Sequence, residues 1–389
     1  MSVDKTDINA IMQVLDEKSA LEQKYQELRA KKLELDTRRV TFDLNKVHQD
    51  EKDLEIARAA NFGQMTDQQL DELIRVNDEY IEAARNKMRF IDAVFDSVVP
   101  FFKKNIILVG AKTGDGKSTT VANIVRSVII QKNDKTGHYK KVLVITNEER
   151  AEDFYNRITC LIKGWHYTNH DRFSDEQRKV FSEYIKFLGG SGLVTVVDNS
   201  FGGSAGVTTS MEGLKAIFDN LIEKEQYYDV VLIDYYQNFK YSKEDPRLNE
   251  WEVQQRVAAL LDDYKNRYPA PIVLMAQVDP NREDEEVPFQ YRVKGRKVIV
   301  DVSTLIVELI ADRENLRTEW IVHKSRFTEG VIGKSFYTGY EKGQYVPYDD
   351  EFKAKVAAIQ QKRQAELMDR MAGTVMNTRA TSETEDTDS

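Results

Sequence analysis

The chain has 389 residues, 41% of them hydrophobic and 31% charged, with a net charge of −9. That is enough apolar content for a packed core, and too acidic a balance for a protein that coats nucleic acid over its whole surface. The single cysteine, Cys160, excludes an internal disulfide framework or cysteine-built zinc site, while the absence of ~18 consecutive apolar residues or a signal-like start predicts a soluble, cytoplasmic protein without a membrane partner.

The first 99 residues contain no proline, and the first glycine is Gly63. Residues 1–60 hold 13 Asp or Glu and 11 Lys or Arg, the composition of long exposed helices. Val14, Leu21, Leu28, Leu35 and Phe42 recur every seven residues as one stripe of a heptad pattern. The companion stripe holds Lys, Glu and Arg more often than leucine. Residues 1–62 therefore read as long charged helices, arranged as a helical hairpin, docked on another subunit, or paired in a coiled coil. A linker helix is expected within 63–97, where Thr66 and Gln69 have capping-box spacing and Leu70, Leu73, Ile74 and Ile81 share an apolar face.

From residue 105 the texture changes to short β-branched runs separated by helical stretches. Residues 105–111, 141–147, 193–199, 229–237 and 271–277 read as buried parallel strands, and 303–312 and 318–325 as two more joined by a short turn. The intervals between the first five are long enough for crossover helices, so 98–350 is expected to be an α/β domain with a mostly parallel central sheet. A C-terminal helix is expected over 351–373, stopping at Gly373. The polar tail 374–389, ending SETEDTDS, is expected to be disordered.

The strongest chemical signal is Ala111, Lys112, Thr113, Gly114, Asp115, Gly116, Lys117, Ser118 and Thr119, directly after the strand NIILVG. A glycine-rich turn between strand and helix points successive backbone N–H groups into one concavity that holds phosphate oxygens. Lys117 would reach the β- and γ-phosphates of ATP, and the Ser118 hydroxyl would ligate Mg²⁺. Asp115 is unexpected there, because a carboxylate near phosphates is repulsive unless it is turned away. Asp234, ending the apolar strand VVLID, suits a magnesium-ordering carboxylate. Glu148 ends a strand expected to lie next to the P-loop strand, where a carboxylate could activate water, with Glu149 its competitor. Gln277 ends PIVLMAQ, where an amide can sense a γ-phosphate. Lys324 and Arg326 alternate along an extended chain, so both point to one side and suit the γ-phosphate of a neighbouring subunit.

These pieces, in this order, resemble the RecA-like motor domain of hexameric replicative DNA helicases of the DnaB type, over about residues 90–348. GAKTGDGKST is similar to that family's P-loop. The interval from Glu148 to Arg157 matches its strand-end Glu followed nine residues later by Arg, which favours Glu148 over Glu149. VVLIDYYQNF is similar to its Walker-B strand, LMAQ stands in place of its Ser-Gln motif with Ala276 for Ser, and HKSRFTEG in place of its Lys-x-Arg finger. The resemblance implies a ring-forming ATPase, a homo-oligomer and by the family's habit a hexamer. It would move on single-stranded DNA in replication, with primase, a loader or other replication proteins as partners. It implies that the loops after the Walker-B and glutamine strands face DNA, with Lys243 and Arg247 in the first and Arg292, Lys294, Arg296 and Lys297 in the second, beside Phe289 and Tyr291. Tyr340 or Tyr345 offers an aromatic platform for adenine, or simply packs a hairpin. The rival reading keeps the ATPase without unwinding, as a recombination mediator or protein-partnered switch.

Overall fold

The computed structural model describes residues 24, 26–27, 29–33, 51, 65–85, 89–90, 104–133, 136–167, 172–200, 207–279, 287–293, 297–326 and 330–384. The chain divides into two compact units, residues 1–75 and 76–389. In the first, the described residues between 24 and 33 are helical, as is residue 51. The heptad stripe Val14, Leu21, Leu28, Leu35 and Phe42 lies outside the described residues. Helix α1 (Asp67–Arg85) opens with a capping box: Thr66 N–H donates to Gln69 Oε1 at 2.9 Å and Gln69 N–H to Thr66 Oγ1 at 3.3 Å. Leu70, Leu73, Ile74 and Ile81 on its apolar face are exposed.

The second unit is built on one nine-stranded sheet in the order β3-β2-β4-β5-β1-β6-β7-β8-β9. The strands are β1 (Ile106–Ala111), β2 (Val142–Thr146), β3 (Val194–Val197), β4 (Val230–Asp234), β5 (Ile272–Gln277), β6 (Leu305–Asp312), β7 (Arg317–Ser325), β8 (Ser335–Glu341) and β9 (Gln344–Pro347). β3 through β6 in that spatial order pair in parallel, and β6 to β9 pair antiparallel. The continuous apolar runs of the parallel strands follow from burial on both faces. Ile107, Val109 and Ala111 join one core with helices α2 (Lys117–Ile129) and α3 (Ala151–Lys163). Helix α4 (Asp175–Gly190) precedes β3. Ile106 and Leu108 join the other core with α5 (Met211–Glu223), α6 (Glu250–Arg267) and α8 (Lys297–Val302). The short turn α7 (Phe289–Arg292) lies between β5 and α8.

Two expectations are corrected. The strand β2, which leads into Glu148, is not beside the P-loop strand β1: β1 pairs with β5 and β6, and β2 with β3 and β4. Crossovers can return to either flank of a parallel sheet, so order along the chain does not fix neighbours. Helix α9 runs Asp350–Thr384, through Gly373 and into the segment expected to be disordered. One helical glycine costs only about 1 kcal/mol, and no proline follows to stop the helix. The segment YTGYEKGQY forms the β8–β9 hairpin, with Lys342 and Gly343 at φ 49° and 84° in its two-residue turn.

Candidate nucleotide site

The carboxyl edge of the parallel strands gathers the predicted groups. Ala111 is level with Gln277, and Thr146 with Asp234. Gly114 and Gly116 hold φ of 91° and 99°, a left-handed backbone that lets the loop turn its amides inward, and helix α2 begins at Lys117. Lys117 Nζ donates to the Lys112 carbonyl at 3.4 Å across the loop. Ser118 Oγ donates to Asp234 Oδ2 at 2.8 Å, joining the two metal candidates.

Asp234 is 2% exposed, and its Oδ1 has no hydrogen-bond partner. A buried carboxylate oxygen without a partner is costly, and a hydrated cation beside Ser118 is the partner that would relieve it. The residues therefore fit Mg²⁺ and a nucleotide phosphate. Burial pushes the Asp234 carboxyl up to about 6, against the Ser118 hydrogen bond and with a further push from Glu148. The folded state thus holds this proton above the ordinary value of 3.8, so stability falls as pH rises from there to about 6. At neutral pH the ionised group costs the empty site about 3 kcal/mol. Asp234→Asn is expected to raise the melting temperature of the nucleotide-free protein at pH 8 and to abolish Mg²⁺-dependent nucleotide binding. In the wild type, calorimetric Mg²⁺-nucleotide affinity should weaken as pH falls through about 6, because the proton competes with the cation.

Around this pair, three amides tie the strand ends together. Gln277 Nε2 donates to Thr113 Oγ1 in the P-loop. Gln237 grips the Gln277 backbone from both sides, accepting from its N–H at 3.0 Å and donating to its carbonyl at 3.2 Å. Asn147 accepts from the Tyr235 N–H at 2.9 Å and donates to the Tyr235 and Thr208 carbonyls. Partners rather than spacing separate Glu148 from Glu149. Arg157 pairs with Glu149 at 2.6 Å, leaving the exposed Glu148 as a carboxylate whose charge reaches Asp234 and Tyr235. The nine-residue interval to Arg157 therefore does not describe an ion pair of Glu148.

The oddity of Asp115 has a physical reason. Burial raises its carboxyl, opposed by Lys112, Arg313 and Lys117 and by a hydrogen bond with the Ala311 backbone, so it is held on the β6 side of the loop. Arg313, at the β6–β7 turn, donates to the Gly114 carbonyl at 2.9 Å; the sequence marked that turn but not this contact. Tyr345 is buried, shares a 2.8 Å hydrogen bond with Thr120 on helix α2, and cannot be a platform. Tyr340, 36% exposed with its ring 5.9 Å from that of Tyr345, is the one of the pair that presents a face.

The expected DNA residues divide. Arg292 is corrected: both its terminal nitrogens donate to Glu308 at 2.8 Å, and a buried carboxylate holds it more tightly than a transient phosphate contact would. Phe289 is corrected too, being buried against Gly110, where a Cβ would stand 2.3 Å from its Cζ. Lys294 and Arg296 lie outside the described residues, and Lys297 begins α8. Lys243 and Arg247 are exposed, Arg247 pairing with Asp245 at 3.1 Å. Lys324 and Arg326 share one side as expected, with Lys324 Nζ donating to the Val300 and Asp301 carbonyls at 2.8 and 3.0 Å and Arg326 reaching the Asp301 carbonyl at 3.4 Å.

This strand order with a phosphate loop at the carboxyl edge defines a RecA-like fold. No protein-family model matches the sequence, and no curated protein is significantly similar to it. Among solved structures, the isolated ATPase domain of one DnaB-like replicative helicase aligns with a TM-score of 0.57 at 15% identity, over 73% of this chain and 100% of that one. A second DnaB-like replicative helicase, solved in a study of its interactions with primase, aligns with a TM-score of 0.54 at 13% identity, over 76% of this chain and 70% of that one. The chain has the fold of DnaB-like helicase ATPase domains. No helix among the described residues is long and apolar enough to cross a membrane.

Proposed function

We propose that the chain is an ATP- and Mg²⁺-dependent motor that assembles into a ring, of six subunits by resemblance, and moves on single-stranded DNA as a replicative helicase. One observation carries this reading. Lys324 is level with Ile306, whereas Ala111 of the P-loop is level with Leu309. The two cations are thus set back by three strand residues, roughly 10 Å, and displaced two strands, about 10 Å, to the side. They cannot serve their own P-loop and suit a neighbour's, which requires an oligomer whose sites are shared.

Within one site, Lys117 and the P-loop amides bind phosphate, Ser118 and Asp234 hold Mg²⁺, and Glu148 orients water and accepts its proton. Mg²⁺ supplies charge neutralisation on the phosphates when bound. Gln277, between Thr113 and the Gln237 clamp, reports on the γ-phosphate to the segment that follows β5. Tyr340 takes the adenine. Primase or a loader are the protein partners this reading implies.

Steady-state hydrolysis measured with and without single-stranded DNA, on the wild type and on Lys294→Ala/Arg296→Ala/Lys297→Ala, tests the motor. Stimulation that the triple substitution removes is the expected result. Hydrolysis indifferent to DNA would point instead to a protein-partnered switch.

A further inference from the structure

Glu308 is a carboxylate in the middle of the apolar strand β6 and is 2% exposed. Burial alone would raise its carboxyl, but hydrogen bonds from His323 and Arg292 hold it below the usual range. His323 Nε2 lies 2.8 Å from Glu308 Oε2, and its ring stacks on Phe289 with centroids 4.3 Å apart and planes 6° from parallel. The backbone explains why a histidine one residue before the finger reaches that far. The β6–β7 register jumps between Ile306 and Val307, from partner Lys324 to partner Val322, so His323 is the extra residue of a β-bulge. A bulge re-aims the side chain it carries.

Neighbouring residues of β7 and its end therefore grip both ends of the segment between β5 and β6. His323 holds the incoming end, through Phe289 and the Arg292–Glu308 pair. Lys324 and Arg326 hold the outgoing end, the carbonyls of Val300 and Asp301 in the last turn of α8. Those carbonyls carry the negative end of the helix and attract cations. The incoming end is also tied to the nucleotide side: Phe289 packs on Gly110, the residue before the P-loop, and the Asp279 N–H donates to the Arg292 carbonyl at 2.8 Å, two residues after Gln277.

We propose that Phe289, Arg292, Glu308 and His323 form a positioning clasp that couples the loop between β5 and β6 to the trans cations Lys324 and Arg326. In the isolated chain the cations are parked on α8; a pull on the loop when it holds a strand shifts α8 relative to the bulge and frees them toward the neighbouring site. This rests on the proposed DNA-driven motor. The clasp residues touch neither nucleotide nor the strand.

The test uses the full-length protein with Arg292→Lys, which keeps the charge but cannot make the paired bonds, and Phe289→Leu, which keeps an apolar side chain but loses the stack. Single-stranded DNA affinity is measured by fluorescence anisotropy of a labelled oligonucleotide, and hydrolysis is measured without DNA and at saturating DNA. Expected are basal hydrolysis and DNA affinity close to wild type, with DNA stimulation reduced about five-fold or more in both variants. Full stimulation in both would overturn the clasp while leaving the motor intact. Parallel loss of DNA affinity would also overturn it, showing that these residues merely shape the loop. A wild type that DNA does not stimulate would overturn the motor reading, and the coupling with it.

Discussion

Arg326→Ala is expected to abolish steady-state hydrolysis, by roughly 10³-fold or more, with nucleotide affinity unchanged. The magnitude is that of a finger arginine, whose guanidinium meets charge that develops on the phosphoryl group only in the transition state. Affinity is spared because the P-loop, Ser118 and Asp234 belong to the same subunit, whereas Arg326 lies just past the far end of β7, docked on Asp301. Its cis contact is a long 3.4 Å bond to one carbonyl, a modest hold that a phosphate could outcompete. Binding is read with a fluorescent nucleotide and turnover with a phosphate-release assay. Loss of both together would place Arg326 in its own subunit's site and remove the argument for a shared one.

Lys117→Ala should be equally inactive for a different reason, with kcat reduced by roughly 10²- to 10³-fold or more. Here affinity should fall as well, since a charged donor to phosphate contributes about 1.5–3 kcal/mol. The thermal stabilisation that ATP and Mg²⁺ confer on the wild type should shrink accordingly. Lys117→Arg should not restore turnover, because the guanidinium is wider than the ammonium that bonds the Lys112 carbonyl across the loop. Mixing the two inactive proteins separates cis from trans. An Arg326→Ala subunit supplies an intact P-loop, and a Lys117→Ala neighbour supplies an intact finger, so mixed assemblies should regain part of the hydrolysis. No recovery on mixing, with assembly confirmed by sedimentation, would contradict shared sites.

Much of the candidate site was legible in the sequence because its signals are local. The P-loop is one contiguous run whose glycines are demanded by the backbone, at φ 91° and 99° for Gly114 and Gly116. Asp234 and Gln277 were legible because each ends an apolar run, and the ends of parallel strands share one edge where ligands bind. The capping box at Thr66 and Gln69 was equally local. Where a reading needed the partner of a side chain, it failed or stayed open. Arg292 looked like any loop cation, yet a carboxylate 16 residues away claims it. The signal was present in Glu308 itself: a buried carboxylate must be paired, so an acid inside LIVELIAD announces a cation brought to it.

Residue order alone was sufficient for the class of fold, through short apolar runs of strand length, the phosphate loop, and the acids and amide at strand ends. Those features depend on backbone conformation and burial of neighbouring residues, which residues close along the chain dictate. Three-dimensional packing was needed to establish that β4 and β5 lie between β1 and β2, that Glu149 rather than Glu148 holds Arg157, and that Gly373 does not end the last helix. Packing also set Lys324 and Arg326 back from their own P-loop, and put a bulge at His323. Most of these turn on which distant groups meet, and the chain's return path, not its local propensity, sets that.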